Sequence, residues 1–428
     1  MIPRRHLIIL ATFSLSVLLY VDRACISTAK DPIIQTLAQT DARWLDADWA
    51  SKHWGWIMAA FAFGYALFQT PSGAMADRLG ARRILTTVVT AWSIFTGLTA
   101  AAWNLSSMMV IRFLFGAGEA GAFPGMARVV YSWIPVQERG VVKGINFSGS
   151  RIGAAVTMPI LPWMITTLGW KSSFLLLMVI GFIWSLFWWF WFRDEPADKP
   201  GIKPKELEYI IQHRQQSSTD TAPPQPLRVG ELLGSGNMWL VMGQYFASNF
   251  TFFFTLTWLY PYVKKTYSLS PVEAGFCAMA PLLAGAAGNI FSGWLVDALY
   301  KQGKRAASRR LPAMAGFALA TIGLVMSVNQ AEVWPAVAWL CVAIFGADMT
   351  LSPSWSLCID IGGKHAGAVS GTMNMAGNLG SAFVGLVFPY LVIHYGPKGF
   401  FFAGALLNLL AIGLWLLISP NRKIQEIV

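Results

Sequence analysis

The chain has 428 residues, 55% of them hydrophobic and only 12% charged, with a mean hydropathy of +0.51. Soluble domains carry about 25% charged residues, so the composition excludes an ordinary soluble domain and fits a protein that crosses a membrane many times. The net charge of +11 would fit nucleic-acid binding in a soluble chain, but its placement along this one excludes a polyanionic partner.

A helix needs about 20 apolar residues to cross the hydrocarbon core. Twelve such runs are expected, near 7–28, 54–73, 84–103, 107–134, 144–168, 172–192, 238–263, 272–298, 312–329, 333–358, 365–394 and 398–419. The first, LIILATFSLSVLLYVDRACIS, follows Arg4 and Arg5 but shows no small-residue cleavage site, so it reads as a retained helix. It closes on Asp22 and Arg23. The second run leads into a loop with Gly73, Asp77, Arg78, Gly80 and Arg82, and the third ends before Asn104-Leu-Ser106, a glycosylation-type triplet that is frequent by chance. The fourth holds Arg112 and Glu119, with Arg128 following; the fifth holds Arg151; the sixth ends in WSLFWWFWF, which suits a membrane interface.

Residues 193–237 are polar, basic and rich in Pro and Ser, with one short amphipathic piece around Lys205–Gln215, and read as a linker between two bundles. The expected organisation is therefore 1–192, an N-terminal six-helix bundle; 193–237, a cytoplasmic linker loop; and 238–428, a C-terminal six-helix bundle. In the second half Gln244 opens the seventh span, Asp348, Ser352, Ser354 and Trp355 lie in the tenth, and Asn374 and Asn378 lie one turn apart in the eleventh. With both termini cytoplasmic, the inner loops hold 21 Lys and Arg, the outer loops seven, and four arginines are left inside spans. That bias follows the positive-inside rule and makes the basic charge a report on topology. Cys25, Cys277, Cys341 and Cys358 all fall in apolar runs and read as small core residues.

The halves also repeat each other. Gly140-x-x-x-Gly144-x-Asn146-x-x-Gly149 opens the fifth span and Gly367-x-x-x-Gly371-x-x-Asn374-x-x-Gly377 the eleventh; Gly73-x-x-x-Asp77 follows the second and Gly293-x-x-x-Asp297 the eighth. Offsets of 220 to 228 residues for both pairs indicate internal duplication. No Walker loop, nucleophile elbow or zinc-ligand spacing is present. Neither enzyme chemistry nor a cofactor or metal is expected, beyond a coupling ion.

Gly73-Ala-Met-Ala-Asp77-Arg78-Leu-Gly80-Ala-Arg82-Arg83 resembles the G-x-x-x-D-R-x-G-x-R-R loop of the major facilitator superfamily, which joins its second and third helices. Tyr20-Val-Asp22-Arg23, Arg112-Phe-Leu-x-Gly116-x-Gly118-Glu119 and Thr257-Trp258-Leu259-x-x-Tyr262 are similar to its anion:cation symporter branch. That branch includes bacterial galactonate, glucarate and hexuronate transporters and, among animals, sialin and the vesicular glutamate transporters. The resemblance implies an all-α membrane protein of 12 transmembrane helices in two pseudo-symmetric six-helix bundles that rock around a midplane site. It also implies Asp22 and Glu119 as the protonatable pair, Arg112 as their tuner and Arg23 as the grip for a substrate acid group. Substrate contacts are implied near Tyr20, Tyr65, Gln244, Ser352, Ser354, Trp355 and Asn374, with Asn378 alongside.

Physical chemistry gives these residues meaning of its own. A charge at membrane depth costs at least about 2.5–3.5 kcal/mol, so it faces a partner or a watery cavity. Arg112 and Glu119 are seven apart, two turns of one helix and about 10 Å on one face; they form either a static ion network or a proton site, since burial disfavours a carboxylate's charge and a guanidinium restores it. Asp22 and Arg23 point about 100° apart on a helix, so Asp22 is expected to face Arg112 while Arg23 binds an anion bidentately. Arg151 departs from the branch, whose sugar-acid members often carry a neutral polar residue there. It reads either as a structural balance for Glu119 or a snorkelling cation, or as a second anion anchor for a more highly charged acid. Asp77, with Gly73, Arg78, Gly80 and Arg82, reads as a gate against the N-terminus of the eleventh helix, whose dipole favours an anion. Asp297 reads as its mirror, Arg128 and Asp360 as anchors near helix ends, and Asp348 as a second ion site or a packing residue.

The expected function is proton-coupled symport of a small organic anion, a sugar acid such as an aldonate, uronate or aldarate, through a bacterial inner membrane, by a monomer in the lipid bilayer. Rivals are sodium coupling, exchange or export of another carboxylate such as an aromatic acid or a dicarboxylate, and a non-transporting membrane sensor.

Overall fold

A computed structural model of the chain describes residues 3–215, 229–257 and 259–424. Residues 216–228 of the expected linker, and Trp258 of the seventh-span motif, lie outside the described residues. The described chain is helical, with no strand. The first half comprises α1 (Arg4–Thr28), α2 (Lys30–Ala38), α3 (Ala47–Leu79), α4 (Ala81–Thr99), α5 (Leu105–Glu119), α6 (Ala122–Trp133), α7 (Arg139–Leu168) and α8 (Trp170–Trp191). A short α9 (Pro204–His213) follows. The second half comprises α10 (Val229–Gly234), α11 (Gly236–Thr257), α12 (Leu259–Thr266), α13 (Pro271–Lys301), α14 (Arg305–Ser327), α15 (Val333–Met349), α16 (Leu351–Gly362) and α17 (Ala366–Leu417). These make twelve membrane crossings in two pseudo-symmetric groups of six. Six stretches are long and apolar enough to span by length and composition alone; the others are broken or carry polar groups.

Proline chemistry sets the breaks. A proline donates no hydrogen bond and collides with the carbonyl four residues earlier. Pro124 thereby interrupts the fourth crossing between α5 and α6, and Pro353 the tenth between α15 and α16. The Met349 carbonyl that Pro353 cannot use accepts instead from the Ser292 hydroxyl at 2.5 Å. Crossings eleven and twelve run together as α17 but bend at Gly396, whose φ of +71° is left-handed and suits glycine. Asn104 caps α5, accepting from Ser107 N–H at 2.8 Å, with Ser107 returning the bond in a capping box. The triplet at 104–106 is thus a helix start.

Both ends of the chain lie at one end of the molecule, the terminal end. Arg4 reaches the Gly201 carbonyl, and Asn237 and Ser419 exchange two bonds. The first part of the linker is docked there: Glu206 accepts from the Arg5 backbone at 2.9 Å, Tyr209 donates to Glu138, and Gln215 accepts from Arg139 at 2.7 Å. The aromatic run at the end of α8 splits by face. Trp184, Trp188 and Phe192 pack inward in a stack, while Phe187 and Phe190 face outward, as a lipid-facing helix requires. Cys25, Cys277 and Cys358 are buried, Cys341 is half-buried, and all four are free thiols.

Candidate functional site

Two mirrored contacts join the halves at the terminal end. Asp77, the third residue from the end of α3, accepts from the N–H groups of Gly367 and Ala368 at 2.8 Å each, in the first turn of α17. Asp297, near the end of α13, accepts from Gly140 and Val141 N–H at 2.8 Å each, in the first turn of α7. Each carboxylate satisfies two donors that a helix start leaves free, at the positive end of its dipole. The helices touch at glycines: a Cβ on Gly73 would lie 2.2 Å from the Gly367 carbonyl oxygen, and one on Gly293 2.5 Å from that of Gly140. Ser352 adds a bond to the Gly140 carbonyl at 2.7 Å. Asp360, expected as an anchor, instead bridges the halves between Arg139 (2.6 Å) and Arg309 (2.8 Å). Arg128 reaches the Lys364 carbonyl across the same seam at 3.4 Å. The terminal end is closed.

Deeper in, the halves line a small cavity of about 40 Å³. From the first half it is lined by Tyr20, Arg23, Tyr65, Phe123, Phe147 and Arg151. From the second come Tyr245, Ser248, Asn249, Phe252 and Phe253, then Leu351, Trp355, Asn374 and Asn378. Aromatic walls with a few amides and two guanidinium groups suit a small anion carrying hydroxyls. Asn374 ties the halves here, donating to Gln69 at 2.8 Å and approaching the Tyr65 hydroxyl at 3.4 Å.

The charges pair differently from the helical-wheel expectation. Arg23 forms its ion pair with Glu119, while its guanidinium lies over the rings of Tyr65 (4.3 Å) and Tyr20 (5.3 Å). The arginine is 18% exposed, on the cavity side; Glu119 is 1% exposed, behind it. The expected Asp22–Arg112 pair is absent among the described residues. Both Asp22 oxygens are buried without a hydrogen-bond partner, and so is Arg112 Nε. Arg112 packs its guanidinium against Phe115 and Phe61, at 4.4 and 5.2 Å from the ring centres. Arg151 neither balances Glu119 nor snorkels. It makes a two-pronged pair with Asp348, Nε to Oδ2 at 2.7 Å and the terminal nitrogen to Oδ1 at 2.5 Å, with its plane 3.5 Å from Phe252. Asp348 thereby acquires a partner 197 residues away, on the other half.

Several expected contacts are elsewhere. Gln244 and Ser354 bond each other at 3.2 Å inside the second half, with Trp415 also donating to Gln244, and neither lines the cavity. Ser354 sits one turn beyond the carbonyl of Thr350 and bonds it at 2.6 Å, the usual resource of a serine in a broken helix. Ser352 belongs to the terminal seam. Trp355 does line the cavity, its indole N–H donating to Tyr245 at 2.8 Å. Arg82 is not at the seam: its backbone bonds Asp194, just past α8, and its side chain the Trp189 carbonyl in α8. Gly80 turns the chain from α3 to α4, and Arg78 is exposed. Arg139 and Lys143 are buried in α7. Tyr245, Asn249 and Phe252 were not anticipated. They share a face of α11 with Ser248, a stripe that the aromatic sequence around it hides.

The chain matches the model of the Major Facilitator Superfamily over residues 12–385. It is 30% identical over 435 residues to the probable sulfoacetate transporter of Cupriavidus necator, covering 100% of this chain and 98% of that one. It is 30% identical over 443 residues to a probable galactarate/D-glucarate transporter of Escherichia coli, covering 99% and 96%. A crystal structure of the human organic anion transporter MFSD10 superposes with a TM-score of 0.72 at 15% identity, over 97% of this chain and 100% of that one. The sequence match extends through both repeats and the cavity helices, and its relatives carry solutes rather than catalyse reactions: the chain belongs to the Major Facilitator Superfamily, as a multi-pass membrane transporter and not an enzyme.

Proposed function

We propose that the protein is a proton-coupled symporter of a small organic anion, a sugar acid or similarly sized acid, working by alternating access with its terminal end in the bacterial cytoplasm. The observation that carries this reading is the Arg23–Glu119 pair at the cavity wall. Arg23 faces the cavity, so a substrate carboxylate competes with Glu119 for it. A carboxylate that loses its hydrogen-bonded cation in a buried place is costly unless it takes up a proton. Binding of the anion and protonation of Glu119 are then one event. Asp22, buried with both oxygens unpartnered, suits the protonated form in the state closed at the terminal end, and Arg112 stands by for its ionised form. Tyr20, Tyr65, Asn249, Asn374 and Asn378 offer hydroxyl and amide partners for a polyhydroxylated chain. The names of the relatives, carriers of sulfoacetate and of galactarate and D-glucarate, support the anion class.

The test is uptake in proteoliposomes, with proton and sodium gradients imposed separately. A proton gradient drives accumulation that an uncoupler collapses, and a sodium gradient does not. Glu119→Gln abolishes that accumulation while sparing exchange of internal for external substrate. Accumulation by the Gln variant, or uptake driven by sodium alone, refutes the coupling scheme.

A further inference from the structure

Glu119 and Asp348 hold equivalent places in the two repeats. They are 229 residues apart, as are Pro124 and Pro353, which follow them by five residues and break the fourth and tenth crossings. Glu119 is the last residue of α5 and Asp348 the last but one of α15, so each lies buried at the end of the first segment of a broken crossing, and each pairs with an arginine that lines the cavity: Glu119 with Arg23, Asp348 with Arg151. Tyr20 stands between the two arginines, its ring 5.3 Å from Arg23 and its hydroxyl beside Arg151.

The second pair is built to be occupied by a carboxylate. Phe252 covers one face of the Arg151 guanidinium at 3.5 Å, which leaves its in-plane edge for a two-pronged acceptor. Gly285 clears the space behind: a Cβ there would lie 2.2 Å from Asp348 Oδ2. Arg151 is the one cation that bonds Asp348 among the described residues. We propose that Asp348 is a resident stand-in for the second acid group of the substrate, so that the transported anion is two-ended, a dicarboxylate or a carboxylate–sulfonate, with one end on Arg23 and the other on Arg151. This names the substrate class and rests on the organic-anion reading above. When the second end takes Arg151, the displaced Asp348 carboxylate takes one proton from the external solution, where a hydronium O–H bond breaks, and forms one carboxyl O–H bond. One negative charge enters with the substrate and one proton enters with it, so the net charge of the buried pair is unchanged.

The experiment compares galactarate with D-galactonate, which differ only in whether the sixth carbon is a carboxylate or an alcohol, with sulfoacetate as a shorter two-ended probe. Affinity by calorimetry and proton uptake by a pH dye in weak buffer are read on the purified full chain. The wild type prefers galactarate and takes up one more proton with it than with D-galactonate. Asp348→Asn removes the competitor, raises the galactarate-to-galactonate affinity ratio about tenfold and abolishes the extra proton. Arg151→Gln alone strands Asp348 as a lone buried carboxylate and lowers the melting temperature. The neutral double variant Arg151→Gln, Asp348→Asn restores it and lowers the ratio at least about tenfold. Ratios that stay within twofold of wild type in both the Asp348→Asn and double variants, or an extra proton that survives Asp348→Asn, make the pair a purely structural tie and overturn the proposal. A wild type that binds none of the three acids overturns the organic-anion reading itself.

Discussion

The terminal seam and the cavity, one above the other in the same molecule, use the repeat in opposite ways. At the seam the halves are interchangeable: Asp77 on Gly367 and Ala368 is matched, bond for bond at 2.8 Å, by Asp297 on Gly140 and Val141. At the cavity they have diverged. The first half supplies Asp22, Arg23, Arg112, Glu119 and Arg151, and the second supplies amides, aromatic rings and one charge, Asp348. A seam that closes one end has only to hold two helix starts, which either half can do alike. A site that must tell one acid from another needs different groups on its two sides. What duplication preserved is the bonding of the seam, and what it let drift is the chemistry of the cavity.

That contrast breaks most visibly through the glycines. Gly73→Val places a side chain where a Cβ would already lie 2.2 Å from the Gly367 carbonyl oxygen, against backbone that has nowhere to go. Gly293→Val does the same against Gly140. Both variants prevent closure of the terminal end. Spin labels at the exposed positions Arg78 and Gln302, one on each half, report longer distances by pulsed electron resonance in both. If only one of the two shifts the distribution, the seam is not symmetric in function.

A finer test removes charge but not bulk. Asp77→Asn keeps one acceptor and loses the charge–dipole attraction and one hydrogen bond, about 1–2 kcal/mol of preference for the closed end. The closed-to-open ratio then falls roughly tenfold. Asp297→Asn makes the same contacts and should match it within about twofold in the same spin-label measurement. Equality sharpens the comparison, while an effect confined to Asp77 returns the gate to a single motif.

The same division explains what the amino-acid order reveals. The twelve crossings are legible because each needs its own long apolar run, and the seam is legible because Gly and Asp recur at a common offset. The breaks at Pro124 and Pro353 are not, since membrane helices tolerate proline and nothing local says whether it bends or interrupts. Spacing shows that Asp22 and Arg23 face apart. It does not show that Glu119, rather than a substrate, meets Arg23, because that depends on how α1 and α5 pack. The Arg151–Asp348 pair spans 197 residues and both halves, beyond the reach of any local rule. Gln244, Ser352 and Ser354 look like cavity groups because polar residues in apolar runs invite that reading. In fact Ser352 and Ser354 bond backbone carbonyls, and Gln244 is held inside the second half.

The smallest expected effect tests the boundary between the two regions. Arg82 lies in the motif loop, five residues past Asp77, yet none of its bonds reaches the second half: its backbone goes to Asp194, just past α8, at 3.0 Å, its Nε to the Trp189 carbonyl at 2.8 Å, and its guanidinium over the Trp189 ring at 4.4 Å. A residue that touches one half cannot favour the closed over the open arrangement through direct contacts, because those contacts move with it as a rigid unit. Arg82→Gln removes an exposed cation–ring contact worth about 0.5–1 kcal/mol and weakens the loop's hold on the end of α8. Its signature is therefore a slightly lower melting temperature with an unchanged distance distribution between Arg78 and Gln302. An open-shifted distribution as large as that of Asp77→Asn would place Arg82 in the gate after all, and the seam would extend along the whole loop rather than ending at its one carboxylate.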